Sequence, residues 1–341
     1  MRFPPDAEGS LTMHEGRDVR IFGAGDVWEH LSYEACIAAM RDAMVTFSEG
    51  RAPSVPRTFL DLAGGNMFGA MAGSLGSGDV FGAKLISLFP GNTRHGKPSH
   101  LGLVALFDPL DGSLSSLIDA AALTAIRTAS ASAAATDALA RPDARTLAVL
   151  GYGEQAETHI RAILAVRPIE NIRVWGRDLE RCARFADRIA AACAVPCTPA
   201  ADIARAVAAA DIVCTTTAAV EPILYGRWIA PGAHINVVGF AGSDAAEIDA
   251  DLVLRARYIA DSRASVLAEA GEFRSLLRNG TITDAHIVAE IGEVYSGRAA
   301  GRTCDDDITL YRSLGHIVQD LAAARTLVDL ASGAALRSIR L

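Results

Sequence analysis

The sequence lacks any excess of positive charge. Its 341 residues include 32 Lys and Arg against 40 Asp and Glu, which leaves a formal net charge of -8 at pH 7. Because nucleic acids and anionic membrane surfaces attract cationic proteins, neither is expected as a partner. No apolar run reaches the length of a membrane span and no signal peptide opens the chain, so a cytoplasmic protein is expected.

The cysteines also lack the arrangement that a metal site needs. All six are scattered, and although Cys193 and Cys197 are four residues apart, no second pair or histidine cluster completes a zinc site. No metal is therefore expected, and the thiols are expected to be reduced. The chain has no internal repeat and no low-complexity linker. Half of its residues are apolar, which is enough for two domains with sizeable cores.

What the chain does contain is a nucleotide-binding turn. Residues 146–150 form a buried apolar run, Gly151 and Gly153 follow it, and Ala156 takes the third small position of a G-x-G-x-x-A pattern. Gly151 permits a tight turn, Gly153 lets the backbone approach a pyrophosphate, and Ala156 lets helix pack on strand. The N-terminus of that helix offers free N–H groups to the phosphates.

A second predicted strand, residues 172–175, completes a βαβ unit. A carboxylate at its end would favour NAD by binding the ribose 2′-hydroxyl, but Gly176 holds that place and Arg177 follows. Arg177 could meet a 2′-phosphate. The alternative is that Arg177 and Asp178 merely cap the next helix. The sequence therefore favours NADP(H), with NAD(H) as the alternative.

Strands and helices alternate from about residue 144 onward, which predicts a doubly wound, Rossmann-type parallel sheet of α/β class. Its predicted strands are residues 146–150, 172–175, 211–215, 233–239 and 257–261. The preceding part is an antiparallel α+β unit, with a helix over residues 31–47 and strands over residues 57–62, 68–72, 81–89, 101–108 and 114–117. An alanine-rich helix, residues 123–140, joins the two units. Residues 308–330 are predicted as a C-terminal helix that returns to the first unit.

Three cations lie outside the nucleotide fold. Arg57 begins a strand, Lys84 lies inside an apolar strand, and Arg127 lies in the alanine-rich helix. An inward-facing lysine needs an anion nearby to offset its desolvation. Taken singly, each is best interpreted as a solvated or salt-bridged cation. If all three faced one cleft, they would instead clamp a carboxylate or phosphate.

Several motifs follow one another over nearly the whole chain. They are residues 82–92 (GAKLISLFPGN), 106–108 (LFD), 123–129 (LTAIRTA), 139–142 (LARP), 151–156 (GYGEQA) and 313–320 (SLGHIVQD). Together they resemble the ornithine cyclodeaminase and mu-crystallin family. The resemblance implies a homodimer in which an N-terminal α+β domain, completed by the C-terminal helix, makes the subunit contact and binds the substrate. A Rossmann domain then holds NAD(H) or NADP(H).

Residues 1–16 are polar and contain proline, which predicts a loose tail. For the rest of the sequence the resemblance implies a substrate-binding and dimerisation domain over residues 17–125 and 316–341, and a Rossmann domain over residues 126–315. It assigns Arg57, Lys84 and Arg127 to the substrate carboxylate, with Lys84 as the catalytic residue and Gly315 also at the substrate. The implied cofactor-binding residues are Ser99, Arg127, Gly151, Gly153, Glu154, Gln155, Ala156, Gly176, Arg177, Thr217, Ile235, Asn236, Val237, Val238 and Leu314.

One position departs from the family pattern. Ornithine cyclodeaminases carry a Gly-Gly-Asp or Gly-Ala-Asp motif whose aspartate handles the proton on the substrate amine, and here Ala241 falls at that place. Asp244 could replace the aspartate if the loop is remodelled; otherwise it caps the next helix. Glu247 matches an acidic family position and is expected to order the loop.

A cyclodeaminase without that aspartate lacks a base near the amines. An imine reductase needs less, because it only clamps the carboxylate, orients the C=N carbon under the nicotinamide and protonates the nitrogen from water or Lys84. The sequence therefore favours NAD(P)H-dependent reduction of a small α-imino acid, such as pyrroline-2-carboxylate or an acyclic ketimine, or the reverse amino-acid dehydrogenation. The alternatives are ornithine or lysine cyclodeaminase and a non-catalytic NAD(P)H or small-molecule binding protein.

Overall fold

The computed structural model describes residues 17–95, 98–239 and 244–340. They form two sheets with helices packed around and between them. The predicted tail over residues 1–16 and the departure at Ala241 lie outside the described residues.

The first sheet has seven strands, numbered here in chain order. They are β1 (Asp18–Phe22), β2 (Thr58–Leu62), β3 (Asn66–Ser74), β4 (Phe81–Leu88), β5 (His100–Phe107), β6 (Leu114–Asp119) and β15 (Arg337–Arg340). Their order is β15-β1-β6-β5-β4-β3-β2, and β2 to β6 are antiparallel neighbours as predicted. The pattern does not predict β1 or β15, because both are short and carry charged residues between the apolar ones.

The second sheet has eight strands, each parallel to its neighbours. They are β7 (Thr146–Leu150), β8 (Asn171–Trp175), β9 (Cys197–Pro199), β10 (Ile212–Thr215), β11 (His234–Val237), β12 (Arg257–Ala260), β13 (Ile287–Glu290) and β14 (Thr309–Arg312). Their order is β13-β12-β14-β11-β10-β7-β8-β9. The predicted doubly wound sheet is confirmed, with three strands more than the pattern gives.

The prediction of one helix over residues 308–330 is wrong. Residues Thr309–Arg312 form β14, which lies between β11 and β12, and the helix begins only at Ile317. The four residues of β14 are too few to show strand alternation, and buried apolar residues occur in both β14 and α11, so the pattern does not separate strand from helix. Gly315 has a φ of 82° and breaks the segment between the two elements.

Eleven α-helices occur in the described parts of the chain. They are α1 (Ala24–His30), α2 (Tyr33–Ser48), α3 (Ala120–Leu139), α4 (Glu154–Leu164), α5 (Leu179–Cys193), α6 (Ile203–Val207), α7 (Ala250–Arg255), α8 (Arg263–Glu269), α9 (Gly271–Arg278), α10 (Ile291–Tyr295) and α11 (Ile317–Leu330). None of these helices is both long enough and apolar enough to cross a membrane.

Helix α3 links the two sheets. It packs against α2, α11 and β5 of the first unit and against α4 and β11 of the second. Most of its residues are Ala, Ser or Thr, and nearly all are buried, so neighbouring helices can approach closely. Helix α11 packs against α2, α3 and β3 to β5, as a helix returning to the first unit must. The domain division at residues 125 and 315 stays a prediction; residue 125 lies inside α3.

The strand order of the second sheet reverses at β7. Strand β8 lies on one side of β7 and β10 on the other. In open parallel sheets, ligands bind at the carboxyl ends of the strands beside such a reversal. The turn after β7 and the loops after β10 and β11 therefore form the expected cofactor crevice.

Candidate active site

The turn after β7 is held open by two glycines with different tasks. Gly151 has a φ of 129°, and a Cβ there would lie 2.6 Å from Oγ1 of Thr216. It is thus required for the loops after β7 and β10 to meet. Gly153 caps α4, and a Cβ there would have no atom within 4 Å. Open space in front of a helix N-terminus fits a dinucleotide phosphate.

The first turn of α4 supplies further cofactor candidates. Ala156 is fully buried against the sheet. The amide oxygen Oε1 of Gln155 is buried and has no hydrogen-bond partner among the described residues. Glu154 lies beside it, and burial, helped by the charges of Asp119 and Glu157, raises the pKa of its carboxyl. A buried amide oxygen without a partner suits a ligand-binding crevice, because a bound ligand could donate a hydrogen bond to it.

The end of β8 is filled by an aromatic ring. Gly176 is buried, and a Cβ there would lie 1.9 Å from Cδ1 of Tyr152, so no side chain fits while the ring is in place. The guanidinium of Arg181 lies 5.4 Å from the centre of the same ring. Arg177 is exposed, whereas Asp178 accepts a hydrogen bond from the Arg181 N–H at 3.0 Å and caps α5. The capping alternative thus holds for Asp178.

These residues border a basic depression of about 310 Å³. Its lining consists of Tyr152, Arg181, Arg184, Phe185 and Arg188. Arg184 and Arg188 are each paired with a carboxylate, at 3.6 Å and 2.6 Å respectively. Arg181 contacts the Tyr152 ring instead, and Arg177, the exposed residue after Gly176, is not part of this lining.

A buried carboxylate joins the loops after β10 and β11. Glu247 accepts hydrogen bonds from Oγ1 of Thr215 at 2.6 Å, from the N–H of Thr217 at 2.9 Å and from the N–H of Gly239 at 2.8 Å. This arrangement agrees with the expected loop-ordering role of Glu247. The N–H and the hydroxyl of Thr217 both donate to Glu247, so neither is available to donate to a cofactor in this arrangement.

Strand β11 is buried in the sheet, and its backbone pairs with β10 on one side and β14 on the other. Ile235 and Val237 are fully buried in the core of the second sheet. Nδ2 of Asn236 donates to Oγ1 of Thr136 on α3 at 2.9 Å. Of the four residues assigned here to the cofactor, only Val238 lies beyond the strand, where a ligand could touch its side chain.

Two of the three predicted clamp cations meet in the interior. Nζ of Lys84 on β4 donates to Oδ1 of Asp320 at 2.9 Å, and Nε of Arg127 on α3 donates to the same oxygen at 2.9 Å. Lys84 also donates to Oγ1 of Thr124 at 2.6 Å, and Arg127 donates to Oε1 of Gln319 at 3.1 Å. The pair is buried, with exposed fractions of 3% and 7%. The convergence that the sequence left open therefore occurs for Lys84 and Arg127.

Burial sets the electrostatics of this pair. It lowers the pKa of Lys84 to about 8, against the opposing attraction of Asp320. Burial alone would raise the pKa of Asp320, but the charges of Arg127 and Lys84 bring it below its usual range. The cluster thus holds an ionised carboxylate between two cations, one of which can release a proton near neutral pH.

Arg57 lies at the rim of this cluster and has partners of its own. Its Nε forms an ion pair with Glu269 at 3.0 Å, and its Nη2 donates to the carbonyl of Leu314 at 3.0 Å. Its positive charge reaches Lys84, whose pKa it helps to lower. Arg57 therefore lies near the clamp and ties β2 to the segment after β14.

That segment places Gly315 against the clamp. A Cβ on Gly315 would lie 2.9 Å from Nη1 of Arg127, so only glycine lets the guanidinium rest on this backbone. The N–H groups of Leu314 and Gly315 both donate to Oδ2 of Asp261 at 2.6 Å. Burial raises the pKa of Asp261, although these hydrogen bonds oppose it. The clamp is thereby fixed to the edge of the second sheet.

Some functional candidates are not given roles by the sequence. Asp261 ends a predicted strand and Asp320 lies in the motif over residues 313–320, but the sequence does not show the partners of either residue. The hydroxyl of Ser99, assigned to the cofactor, is hydrogen-bonded to its neighbour, since its Oγ lies 2.8 Å from Nδ1 of His100. The positive charge of Lys84 and, more strongly, burial lower the pKa of His100, which places it near the clamp. Within the described residues no group of three or more His, Cys, Asp or Glu could hold a metal.

The likeness to known proteins covers the whole of this arrangement. Ketimine reductase mu-crystallin of Rattus norvegicus is 36% identical over 311 residues, which cover 90% of this chain and 95% of that protein. A Delta(1)-pyrroline-2-carboxylate reductase of Bacillus cereus is 32% identical over 311 residues, covering 91% of this chain and 95% of that protein.

A solved structure is similar to this chain over nearly the same length. Delta(1)-pyrroline-2-carboxylate reductase of Thermococcus litoralis, in complex with NADH and L-proline, superposes with a TM-score of 0.90 at 30% identity and covers 95% of this chain and 100% of that one. The profile of the ornithine cyclodeaminase/mu-crystallin family matches residues 19–335. The chain belongs to the ornithine cyclodeaminase/mu-crystallin family.

Proposed function

We propose that the protein is an NAD(P)H-dependent oxidoreductase that reduces the C=N bond of a small α-imino acid, or runs the reverse amino-acid dehydrogenation. The observation that carries this proposal is the buried pair of Lys84 and Arg127 beside the cofactor crevice. Two cations in a dry site suit a substrate carboxylate. The named reductases among the relatives, and the NADH and L-proline bound by the T. litoralis enzyme, support the same chemistry.

The residues divide the work between binding and proton transfer. Lys84 and Arg127 bind the carboxylate and orient the imine, and the Gly315 backbone supports the guanidinium of Arg127. The turn at Gly151 and Gly153, with the first N–H groups of α4, holds the pyrophosphate. NAD(P)H, when bound, supplies the hydride. Nζ of Lys84, with a pKa of about 8, donates the proton that the nitrogen needs.

The activity is tested by absorbance at ~340 nm, where NAD(P)H absorbs and its oxidised form does not. The purified protein is mixed with pyrroline-2-carboxylate, its six-membered homologue, or the imines that 2-oxo acids form with methylamine. Consumption of NAD(P)H that depends on the imine is expected. Incubation with ornithine and catalytic NAD⁺ is the opposing test. Release of ammonia and proline without net NADH would contradict a reductase and identify a cyclodeaminase. Inactivity with every imine and amino acid, together with cofactor binding, would favour a binding protein.

We also infer a preference for NADP(H) over NAD(H). The place of the carboxylate that would bind a 2′-hydroxyl is closed, because the Tyr152 ring covers Gly176. Two arginines, Arg177 and Arg181, lie beside the same place. A 2′-phosphate would gain charge-assisted hydrogen bonds there, whereas a 2′-hydroxyl would gain little.

The preference is tested by measuring Kd for NADPH and NADH through cofactor fluorescence. The variants Arg177→Ala and Arg181→Ala are each expected to weaken NADPH binding about tenfold or more, since a charge-assisted hydrogen bond contributes ~1.5–3 kcal/mol. NADH binding is expected to change little. Arg205→Ala on α6 is the control, because its side chain is exposed and pairs with Asp202. Tighter binding of NADH than of NADPH by the unaltered protein would reject the preference.

We further propose that two copies associate through the outer face of the first sheet. Strand register places apolar side chains of β2 to β5 on that face, and several are well exposed for their size. They include Leu60, Phe68, Phe81, Leu85 and Leu101. A contiguous exposed apolar face of this kind marks a protein interface. It agrees with the homodimer that the family resemblance implies.

Sedimentation or light scattering tests the dimer. Leu85→Asp is expected to yield a monomer, because it would bury a charge at the centre of the interface without a partner. Leu110→Asp is the matched control, since Leu110 is 92% exposed in the turn between β5 and β6. A monomeric unaltered protein would reject the proposal.

The cytoplasm is proposed as the compartment. All six cysteines are free thiols, which suits a reducing environment. Oxidised thiols in protein isolated directly from cells under alkylating conditions would contradict this placement.

A further inference from the structure

Asp320 lies between the two clamp cations, Lys84 and Arg127, and has no role in the function proposed above. Its carboxylate is fully buried on α11, and a single oxygen, Oδ1, accepts from both Lys84 and Arg127 at 2.9 Å. The second oxygen, Oδ2, is buried without a hydrogen-bond partner among the described residues. Keeping a buried carboxylate ionised costs free energy unless cations that donate hydrogen bonds to it offset the loss of hydration. Here it stabilises the two cations that bind the substrate.

The other titratable groups around Asp320 are neutral near pH 7. Cys36 faces it from α2, and burial raises the pKa of this thiol to about 12. His316 caps the N-terminus of α11, and burial with the charge of Arg57 lowers its pKa to about 4. His100 on β5 faces Lys84, and its pKa is lowered as well, first by burial. Strand β3 places only Met71 opposite Lys84.

The charges of the cluster can therefore be added. Lys84 and Arg127 are cations from β4 and α3, and Asp320 is the anion between them, so the sum is one positive charge. Arg57 at the rim is balanced by its ion pair with Glu269. One substrate carboxylate brings the cluster to neutrality, which is the favourable state for a site that excludes water.

We propose that Asp320 is the positioning residue of the clamp: it keeps Lys84 protonated and holds Lys84 and Arg127 at one separation, so that the pair presents a single net positive charge to a monocarboxylate. The choice of a monocarboxylate as the ligand rests on the function proposed above. Without the carboxylate, two like charges would face each other in a dry interior, and Lys84 would release its proton to relieve the repulsion.

The pH dependence of carboxylate binding distinguishes this role from a merely structural one. Burial and the neighbouring cations bring the pKa of Lys84 to about 8, so binding by the unaltered protein is expected to weaken as the pH rises through about 8. In Asp320→Asn the attraction that favours the charged ammonium is lost. The weakening is then expected to move to lower pH by about one unit or more.

The measurement is calorimetric titration of the full-length protein, loaded with its oxidised cofactor, with pyrrole-2-carboxylate between about pH 6 and pH 10. This probe has the size of a cyclic imino acid and cannot be reduced by hydride transfer. Asp137→Asn is the matched control, because Asp137 also bridges two cations, Arg41 and Arg167, away from the clamp. Its profile should coincide with that of the unaltered protein. Lys84→Arg should abolish the alkaline weakening, because arginine does not titrate there.

An Asp320→Asn profile that is lowered equally at every pH, or that is unshifted, would overturn the proposal. If Asp320→Asn does not fold, Asp320→Glu serves instead, since the displaced carboxylate would hold Lys84 less well. The shift is then expected in the same direction but smaller, and an unmoved profile would again overturn it. Failure of the unaltered protein both to bind the probe and to reduce any imine would reject the function itself. An unshifted but active variant would reject only the role of Asp320.

Discussion

The two halves of the site are built in opposite ways. The substrate half consists of charged side chains buried around Asp320, each fixed by a partner on another element. The cofactor half depends on glycines, which have no side chain. Gly151 lets two loops meet, Gly153 leaves open space for a ligand, and Gly176 makes room for the Tyr152 ring. Substitutions should therefore harm the first half by removing atoms and the second half by adding them.

The largest effect is expected from truncating the clamp. Lys84→Ala or Arg127→Ala should lower kcat/KM for a carboxylate substrate about 100- to 1000-fold, because removing one member of a buried charge pair costs ~2–5 kcal/mol. Arg127→Ala should act mainly through KM, whereas Lys84→Ala should raise KM and also lower kcat, because it removes the proposed proton donor as well. Steady-state kinetics with the best imine measures it. Cofactor affinity, measured separately, should stay nearly unchanged in Lys84→Ala. An unchanged KM would reject the assigned roles of both residues.

The glycine pair of the nucleotide turn separates folding from binding. Gly151→Ala places a Cβ 2.6 Å from Thr216 at a φ of 129°, so the loops after β7 and β10 must shift. Gly153→Val adds its atoms to open space in front of α4. We expect Gly151→Ala to lose about 2–4 kcal/mol of unfolding free energy, and Gly153→Val to keep its stability within ~1 kcal/mol while losing cofactor affinity at least about tenfold.

Urea unfolding and cofactor titration of both variants decide the matter. Gly280→Ala is a useful control for the glycine strain alone, because its φ is 75° but no atom lies near its Cβ. Equal stability of Gly151→Ala and Gly153→Val would remove the distinction between the two positions.

Acid should affect the cofactor half through its buried histidines. His159 lies between α3 and α4, and burial lowers its pKa to about 4; burial also lowers the pKa of His234 on β11 to about 3. The unfolded chain then binds more protons than the folded one below about pH 6.5, so stability falls as the pH falls. From pH 7 to pH 5, His159 alone should cost about 2 kcal/mol.

Thermal and urea unfolding at these two pH values test the acid effect. The loss should be smaller in His159→Gln, which keeps polar atoms for Ser132 but does not titrate in this range. His30→Gln at the end of α1 serves as the control. A loss in His159→Gln as large as that in the unaltered protein would contradict the assignment. The alkaline response, by contrast, belongs to Lys84 and concerns substrate binding.

The smallest effect is expected at the cap of α5. Asp178→Ala removes the acceptor of the Arg181 N–H and should cost ~1 kcal/mol of stability. It should not weaken NADPH binding, because the Asp178 carboxylate caps the helix, whereas Arg177 and Arg181, the proposed phosphate ligands, are unchanged. A marked loss of NADPH affinity in this variant would place Asp178 at the ribose instead.

The fold was largely predictable where one element obeys one periodicity. The strands over residues 146–150 and 172–175 are apolar-rich runs bounded by glycine or polar residues, and both form as predicted. The family predicted from the ordered motifs is confirmed. The segment over residues 308–330 was not predictable, because β14 has only four residues, too few to show strand alternation before α11 begins. Short edge strands such as β1 and β15 carry too few apolar residues to show alternation.

The site was predictable only in its parts. Lys84 stands out in an apolar strand, but its convergence with Arg127 depends on how α3 crosses the sheet. The anion that an inward lysine requires comes from Asp320, 236 residues later in the chain. Nothing in the sequence shows that Tyr152 covers Gly176, because that contact depends on the conformation of one ring.

Helix α3 acts as a rigid spacer between the proposed substrate clamp and the proposed cofactor crevice. Arg127, which belongs to the clamp, lies in its middle, and Thr136 near its end accepts a hydrogen bond from Asn236 on β11. Nine helical residues span ~13 Å, so the reach between the two halves is set by helix length rather than by loops. Inserting one residue between them would rotate Arg127 by ~100° relative to the crevice. Variation in substrate size within this architecture must therefore be accommodated by the walls of the cleft, while the distance across it stays constant.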